Sequence, residues 1–168
     1  IAAFNLAVLY DQDKNYTKAE QLYLEVCNQK VNLKFKYAAA NNLANLYRDG
    51  AEGVDRDPAK AERLYLEAYN QQVNLESKYI AANNLANLYG DGADGVDKDP
   101  AKAEQLYLEV YNQQVDLEIK YIATNNLANL YRDGAEGMDK DPARAERLYL
   151  EAYNQQVNLK IKYTAANN

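Results

Sequence analysis

An all-α solenoid of antiparallel helix hairpins is the fold class this sequence predicts, and three observations predict it. The stretch from Tyr37 to Lys78 returns as Tyr79 to Lys120 and again as Tyr121 to Lys162, a period of 42 residues. A fixed period of this size marks units that bury their apolar faces only against their neighbours. Within each unit, apolar residues recur at spacings of three and four in two separate runs, which is helical periodicity. Between the runs, Asx, Pro and Gly stand where helix starts and stops are wanted. Only seven positions differ between the first and last of these copies: Ala38/Ile122, Ala40/Thr124, Val54/Met138, Arg56/Lys140, Lys60/Arg144, Glu76/Lys160 and Ser77/Ile161.

Taken in order, the array is one domain over 1–168, with units at 1–36, 37–78, 79–120 and 121–162 and the start of a fifth at 163–168. The first unit is short: the ten residues Asp11–Glu20 replace the fifteen residues Gly90–Glu104, so the loop inside this hairpin is cut by five. Its helices carry Ile1, Phe4 and Val8, then Ala19, Tyr23 and Val26. In each long unit the first helix, helix A, starts after an Asx residue: Asn32, Asn74 or Asp116, with Asn158 in the same register. Asn and Asp both accept from the unpaired amides of a first turn, so their exchange keeps an N-cap working. The Leu75, Tyr79, Ile80, Asn83, Leu85, Ala86, Leu88, Tyr89 pattern fills that helix. Gly50, Gly92 and Gly134 follow, where a left-handed C′ residue would end it.

A polar, acidic loop leads to Asp57-Pro58, Asp99-Pro100 and Asp141-Pro142. Asp at the N-cap with Pro at the first helical position is a strong start signal, because that position's amide would be unpaired anyway. Helix B follows with Ala61, Leu64, Tyr65, Ala68 and Tyr69 on one face. Short connections make each A–B pair an antiparallel hairpin. The chain closes on Y-T-A-A-N-N, which reads as the opening of a fifth helix A.

Composition narrows function by exclusion. The balance of 19 basic and 25 acidic residues, net −6, argues against a phosphate-backbone binder. No apolar run approaches the roughly 20 residues of a membrane span. The chain begins at Ile1 rather than Met, as a piece of a longer protein would. Cys27 is the only cysteine, which excludes an internal disulfide framework and leaves the redox compartment open.

With N-N-L-A-N-L-Y on helix A and A-K-A-E-R-L-Y-L-E-A-Y on helix B, the chain resembles a tetratricopeptide repeat. Leu43, Ala44, Tyr47, Ala61, Tyr65 and Ala68 match that family's pattern, as do their equivalents in later units. The first unit matches through Leu6, Ala7, Tyr10, Ala19 and Tyr23, with Val26 in place of a small residue. The loop from Gly53 to Ala61, G-V-x-x-D-x-x-K-A, is similar to the Sel1-type repeat. The N-N-L-A-x-L-Y string is also similar to the repeats of kinesin light chains, where the extra residues fall between units. As a whole the chain resembles natural tetratricopeptide-like proteins with nearly identical 42-residue repeats. The resemblance implies a right-handed superhelix, with helix A lining a concave surface, and a protein-binding scaffold; the last is an analogy from fold.

Catalysis has little to work with. There is no His, the usual general base near neutral pH. Cys27 stands in the register of Tyr69, Tyr111 and Tyr153, so a packed structural thiol is the reading, and the expectation is no enzyme and no cofactor. Asp91, Asp94, Asp97 and Asp99 offer hard oxygens, but the twelfth position from Asp91 is Lys102 rather than a bidentate Glu, so no metal is assigned. The 16 tyrosines read as packing residues whose hydroxyls find water or an acceptor at the seam.

The candidate site is a column of amides. Asn41, Asn83 and Asn125 form one series and Asn45, Asn87 and Asn129 another; residues four apart share a helix face. Such amides either meet a peptide backbone, to which they can both donate and accept, or bridge units structurally. A third series, Asn5, Asn42, Asn84, Asn126 and Asn168, reads as structural, and Asn167 falls in the first series. Arg48 and Arg132 sit at the groove's edge and are placed to pair with a carboxylate; Gly90 interrupts them. The expectation is a scaffold that binds an extended peptide or partner protein, with neither nucleic acid nor membrane involved. Its alternative is a structural spacer without a ligand of its own, which near-identical repeats favour. End-to-end self-association is a further expectation, since Tyr149, Ala152 and Tyr153 at one end and Ile1, Phe4 and Val8 at the other belong to surfaces that pair inside the array.

Overall fold

A computed structural model describes residues 1–29 and 32–166, with 161–166 described by backbone alone. Asn167 and Asn168 lie outside the described residues. Its helices are α1 (Ala2–Gln12), α2 (Tyr16–Asn28), α3 (Leu33–Asp49), α4 (Pro58–Tyr69), α5 (Leu75–Asp91), α6 (Pro100–Asn112), α7 (Leu117–Asp133) and α8 (Pro142–Ala166). Odd-numbered helices are A helices and even-numbered ones are B helices. Each packs against the next along the chain, and α5 also packs directly on both α3 and α7. Neighbouring A helices therefore sit closer together than neighbouring B helices, which makes theirs the inner side of the stack. The described elements form an all-α repeat solenoid.

The core is the pair of stripes the sequence predicts. Leu43, Ala44 and Tyr47 of α3 and Ala61, Tyr65 and Ala68 of α4 are buried, as are their equivalents in α5 and α6. Alanine in these stripes leaves room for the facing helix, while each buried Leu contributes roughly 1.5–3 kcal/mol. Leu75 departs from the expected stripe and is 55% exposed.

The interhelical loop is a fixed device. Ala51 and Val54 exchange backbone bonds of 3.0 and 2.9 Å, and the Asp57 amide donates to the Tyr47 carbonyl at 2.7 Å. This folds Val54 and Val96 back into the core. The Asp caps are made: Asp57, Asp99 and Asp141 accept from the amides of Lys60, Lys102 and Arg144 at 2.9, 3.0 and 2.9 Å. Gly50 has φ 68° as expected, but ψ 160°, so it is the mirror image of extended backbone rather than left-handed helix. That region is essentially reserved for glycine.

Two starts of helix A differ from expectation. Asn74 caps Ser77 at 3.2 Å and Asp116 caps Glu118 at 2.9 Å, whereas Asn32 is itself left-handed (φ 65°, ψ 58°) and its side chain makes no cap bond. Asn158 does not cap at all, because α8 runs through it without a break. The identical string N-Q-Q-V-N-L turns between α4 and α5, so the string alone does not set the break, and Leu159 stays buried in the extended helix.

Candidate functional site

Asn45 is half-buried on α3, and its Oδ1 accepts from the Tyr65 hydroxyl of α4 at 2.5 Å and from Asn84 Nδ2 of α5 at 3.4 Å. One unit on, Asn87 accepts from Tyr107 at 2.5 Å and from Asn126 at 3.0 Å, and Asn129 accepts from Tyr149 at 2.5 Å. A single amide oxygen thus ties a hairpin together and joins it to the next. In the first unit Val8 occupies this register. There the Tyr23 hydroxyl donates to Asp11 and accepts from Asn42, both at 3.1 Å.

A second ladder joins each A helix to the preceding B helix, with Tyr47 donating to Glu20 at 2.8 Å, Tyr89 to Glu62 at 2.7 Å, and Tyr131 to Glu104. A third joins B to B, with Tyr69 to Glu109 at 2.6 Å and Tyr111 to Glu151 at 2.7 Å. Burial, aided by the neighbouring carboxylates, pushes the phenols of Tyr47, Tyr69, Tyr89 and Tyr131 above their ordinary range, Tyr69 to about 12. These tyrosine hydroxyls therefore find side-chain acceptors within their own hairpin or on neighbouring helices, and their rings fill the seams.

Between the C-terminal turns of successive A helices lie three open clefts, of about 260, 480 and 340 Å³. The first is lined by Asp11, Asn42, Asn45 and Asp49, the second by Arg48, Asp49, Arg56, Asn87 and Asp91. The third is lined by Asn87, Gly90, Asp91, Asn126, Asn129 and Asp133, with Lys98 at its edge. Asn42, Asn45 and Asp49 are spaced three and four apart, so they share one helix face. That spacing was available in the sequence. It identifies Asn42 and Asn126 of the series expected to be structural, and the Asp49, Asp91, Asp133 series, which sequence reasoning missed.

Of the predicted residues, Asn45, Asn87 and Asn129 do line the clefts. Asn41 and Asn83 do not: they are 3% and 7% exposed. Asn41 Nδ2 donates to the Ser77 carbonyl of the next unit at 2.8 Å, and its Oδ1 has no protein partner. Asn83 Oδ1 accepts from Asn126 at 3.4 Å, and Asn125 is half-buried. The correction has a geometric cause, since an interior A helix is covered by its own B helix and by the next unit as well. Arg48 and Arg132 are each already bidentate to the adjacent carboxylate, Asp49 and Asp133, with all four bonds 2.7 Å.

Cys27 is half-buried, and burial pushes its thiol up to about 12, with Glu67 adding to the shift. In the acidic loops Asp99 serves as a cap and Asp94 pairs with Arg56 at 3.5 Å. No group of three or more His, Cys, Asp or Glu among the described residues is arranged to hold a metal ion. No helix among them is long and apolar enough to cross a membrane.

Comparison with known proteins gives one match for each hairpin. A family model described as Sel1 repeat matches residues 1–30, 38–73, 80–113 and 122–157. Among solved structures, c5321, described as a protective antigen present in uropathogenic Escherichia coli strains displaying an SLR fold, is 22% identical with a TM-score of 0.67. The alignment covers 97% of this chain and 33% of that one, so the present chain spans about a third of its length, and the likeness is one of fold. A Sel1 repeat protein from Oxalobacter formigenes is 23% identical over 91% of this chain and 70% of its own, with a TM-score of 0.41. No curated protein matches the chain.

Proposed function

The chain belongs to the Sel1-repeat family, and from that premise we propose that it is a scaffold whose A-helix clefts hold an extended segment of a partner protein. Repeats of this family generally mediate protein–protein interaction. The observation that carries the reading is the recurrence of an asparagine amide and an aspartate carboxylate in all three clefts along the A helices. Amides and carboxylates at regular steps suit a peptide backbone, which presents donors and acceptors at regular steps. The partner is protein rather than nucleic acid or membrane, in keeping with the net charge of −6. In this reading the chain performs no catalysis and uses no cofactor.

A second reading, a spacer without a ligand, is favoured by one observation: positions lining the clefts scarcely vary between units. Probing the 168-residue chain against arrayed random short peptides separates the two. A scaffold captures a subset of them and loses them when Asp49, Asp91 and Asp133 are changed together to Lys. Those carboxylates lie outside the Tyr–Asn ladder and at helix C-termini, where cations are tolerated, so circular dichroism should be unchanged. Capture that survives the triple change would overturn the site, and no capture at all would favour the spacer.

A further inference from the structure

Six of the seven glycines have positive φ and belong to the loops; Gly90 is the exception, inside the last turn of α5. Its register carries Arg48 and Arg132 in the flanking units, and each of those guanidiniums neutralises the carboxylate next to it. At Gly90 that guanidinium is missing, and Asp91 is an exposed carboxylate without a bonded cation in the structure. Steric need does not explain the glycine. A Cβ built there meets only the Ala103 Cβ, at 3.7 Å, an ordinary contact. A glycine within a helix is normally destabilising, so this unit gives up stability where its neighbours place Arg.

What the exchange leaves is space and charge. The cleft over Gly90 measures about 340 Å³, and Asp91 also reaches the cleft on its other side, of about 480 Å³. Around it, Arg48 is engaged with Asp49, Arg56 with Asp94, and Asp133 with Arg132. Lys98, on the rim, and Arg48, which feels the Asp91 charge across the neighbouring cleft, oppose a basic ligand here.

We infer that the Gly90–Asp91 position is a specificity pocket for a basic side chain of the bound peptide, arginine above lysine, whose guanidinium takes up in trans the place that Arg48 and Arg132 fill in their own units. A carboxylate accepts a guanidinium through two parallel bonds, which an ammonium cannot match. The amide oxygen of Asn87 on the pocket wall already accepts from Tyr107 and Asn126, so recognition falls to the Asp91 carboxylate. This inference rests on the A-helix clefts being a peptide-binding surface.

The test follows the Gly90 amide in nitrogen-15 spectra, a resonance with no counterpart in the other units. The chain is titrated with N-acetyl-arginine amide, N-acetyl-lysine amide and N-acetyl-glutamate amide, and is probed in parallel on the peptide array. Saturable shifts at Gly90 and Asp91 are expected with the arginine probe, several-fold weaker shifts with lysine, and none with glutamate. Asp91→Asn should weaken the arginine response at least about five-fold, and Gly90→Arg should abolish it; Lys98→Gln should strengthen it. Array peptides that bind without basic residues and are indifferent to Asp91→Asn would overturn this inference and leave the groove standing. Silence toward the arginine probe together with an empty array would overturn both.

Discussion

The hydroxyl of Tyr107 on α6 donates to the Oδ1 of Asn87 on α5 at 2.5 Å, and the same oxygen accepts from Asn126 on α7. The hydrogen bond that closes a hairpin therefore shares its acceptor with the one that stacks the next hairpin upon it. Asn87 also faces the clefts, so the residue that sets the repeat spacing forms part of the candidate binding surface.

Tyr107→Phe should cost about 1 kcal/mol in urea unfolding, the worth of one such bond. Asn87→Ala should cost more, because it leaves a nearly buried hydroxyl without its acceptor and takes from the Asn126 amide the shorter of its two bonds. In the Asn87→Ala background, Tyr107→Phe should cost little or nothing. Additive losses would show that the two residues act separately.

Alkaline pH should unfold the array steeply. Tyr23, Tyr47, Tyr65, Tyr69, Tyr89, Tyr107, Tyr111 and Tyr131 are all raised above the ordinary value of 10.0, chiefly by burial, except for Tyr111, where the bond to Glu151 leads. The folded state keeps these protons where the unfolded chain has lost them. Their contribution is thus complete below pH about 10 and declines as pH rises through the folded values. Phenolate absorbance and helical circular dichroism should change together in one transition above that pH. Tyrosines that ionise near 10 with the helices intact would contradict the seams described here.

Gly90→Arg should stabilise the chain by up to about 1 kcal/mol, since it removes a helical glycine and lets the introduced guanidinium pair with Asp91 as the flanking units do. Thermal unfolding measures it. A destabilised variant would mean that the glycine is needed for packing, despite the open space beside it.

Asn41→Ala should destabilise by about 1 kcal/mol rather than stabilise through its better helix propensity, because it removes the bond to the Ser77 carbonyl. Chemical denaturation decides the sign.

The Asn41 side chain shows where sequence reading stops. The 42-residue period, the Asp57-Pro58 starts and the stripe of Ala61, Tyr65 and Ala68 were legible because local propensity and burial agree there. Facing on an A helix was not, since it contacts neighbours on more than one side and a polar residue between units looks like one on a free surface. Asn32 and Asn158 were misread for a related reason. An Asx residue caps only where the backbone turns suitably before it, and the same six residues turn before Asn74 yet run on as helix through Asn158. The shared face of Asn42, Asn45 and Asp49 was present in the spacing, and only the packing of successive A helices gave it meaning.

Hydrogen exchange of the chain with and without an array-selected peptide tests the central claim most directly. Binding along the A-helix clefts predicts slowed exchange in the last turns of α3, α5 and α7 and in the loops that follow them, with the outer faces of α4 and α6 unchanged. Protection confined to the B helices, or none at a saturating peptide concentration, would contradict it.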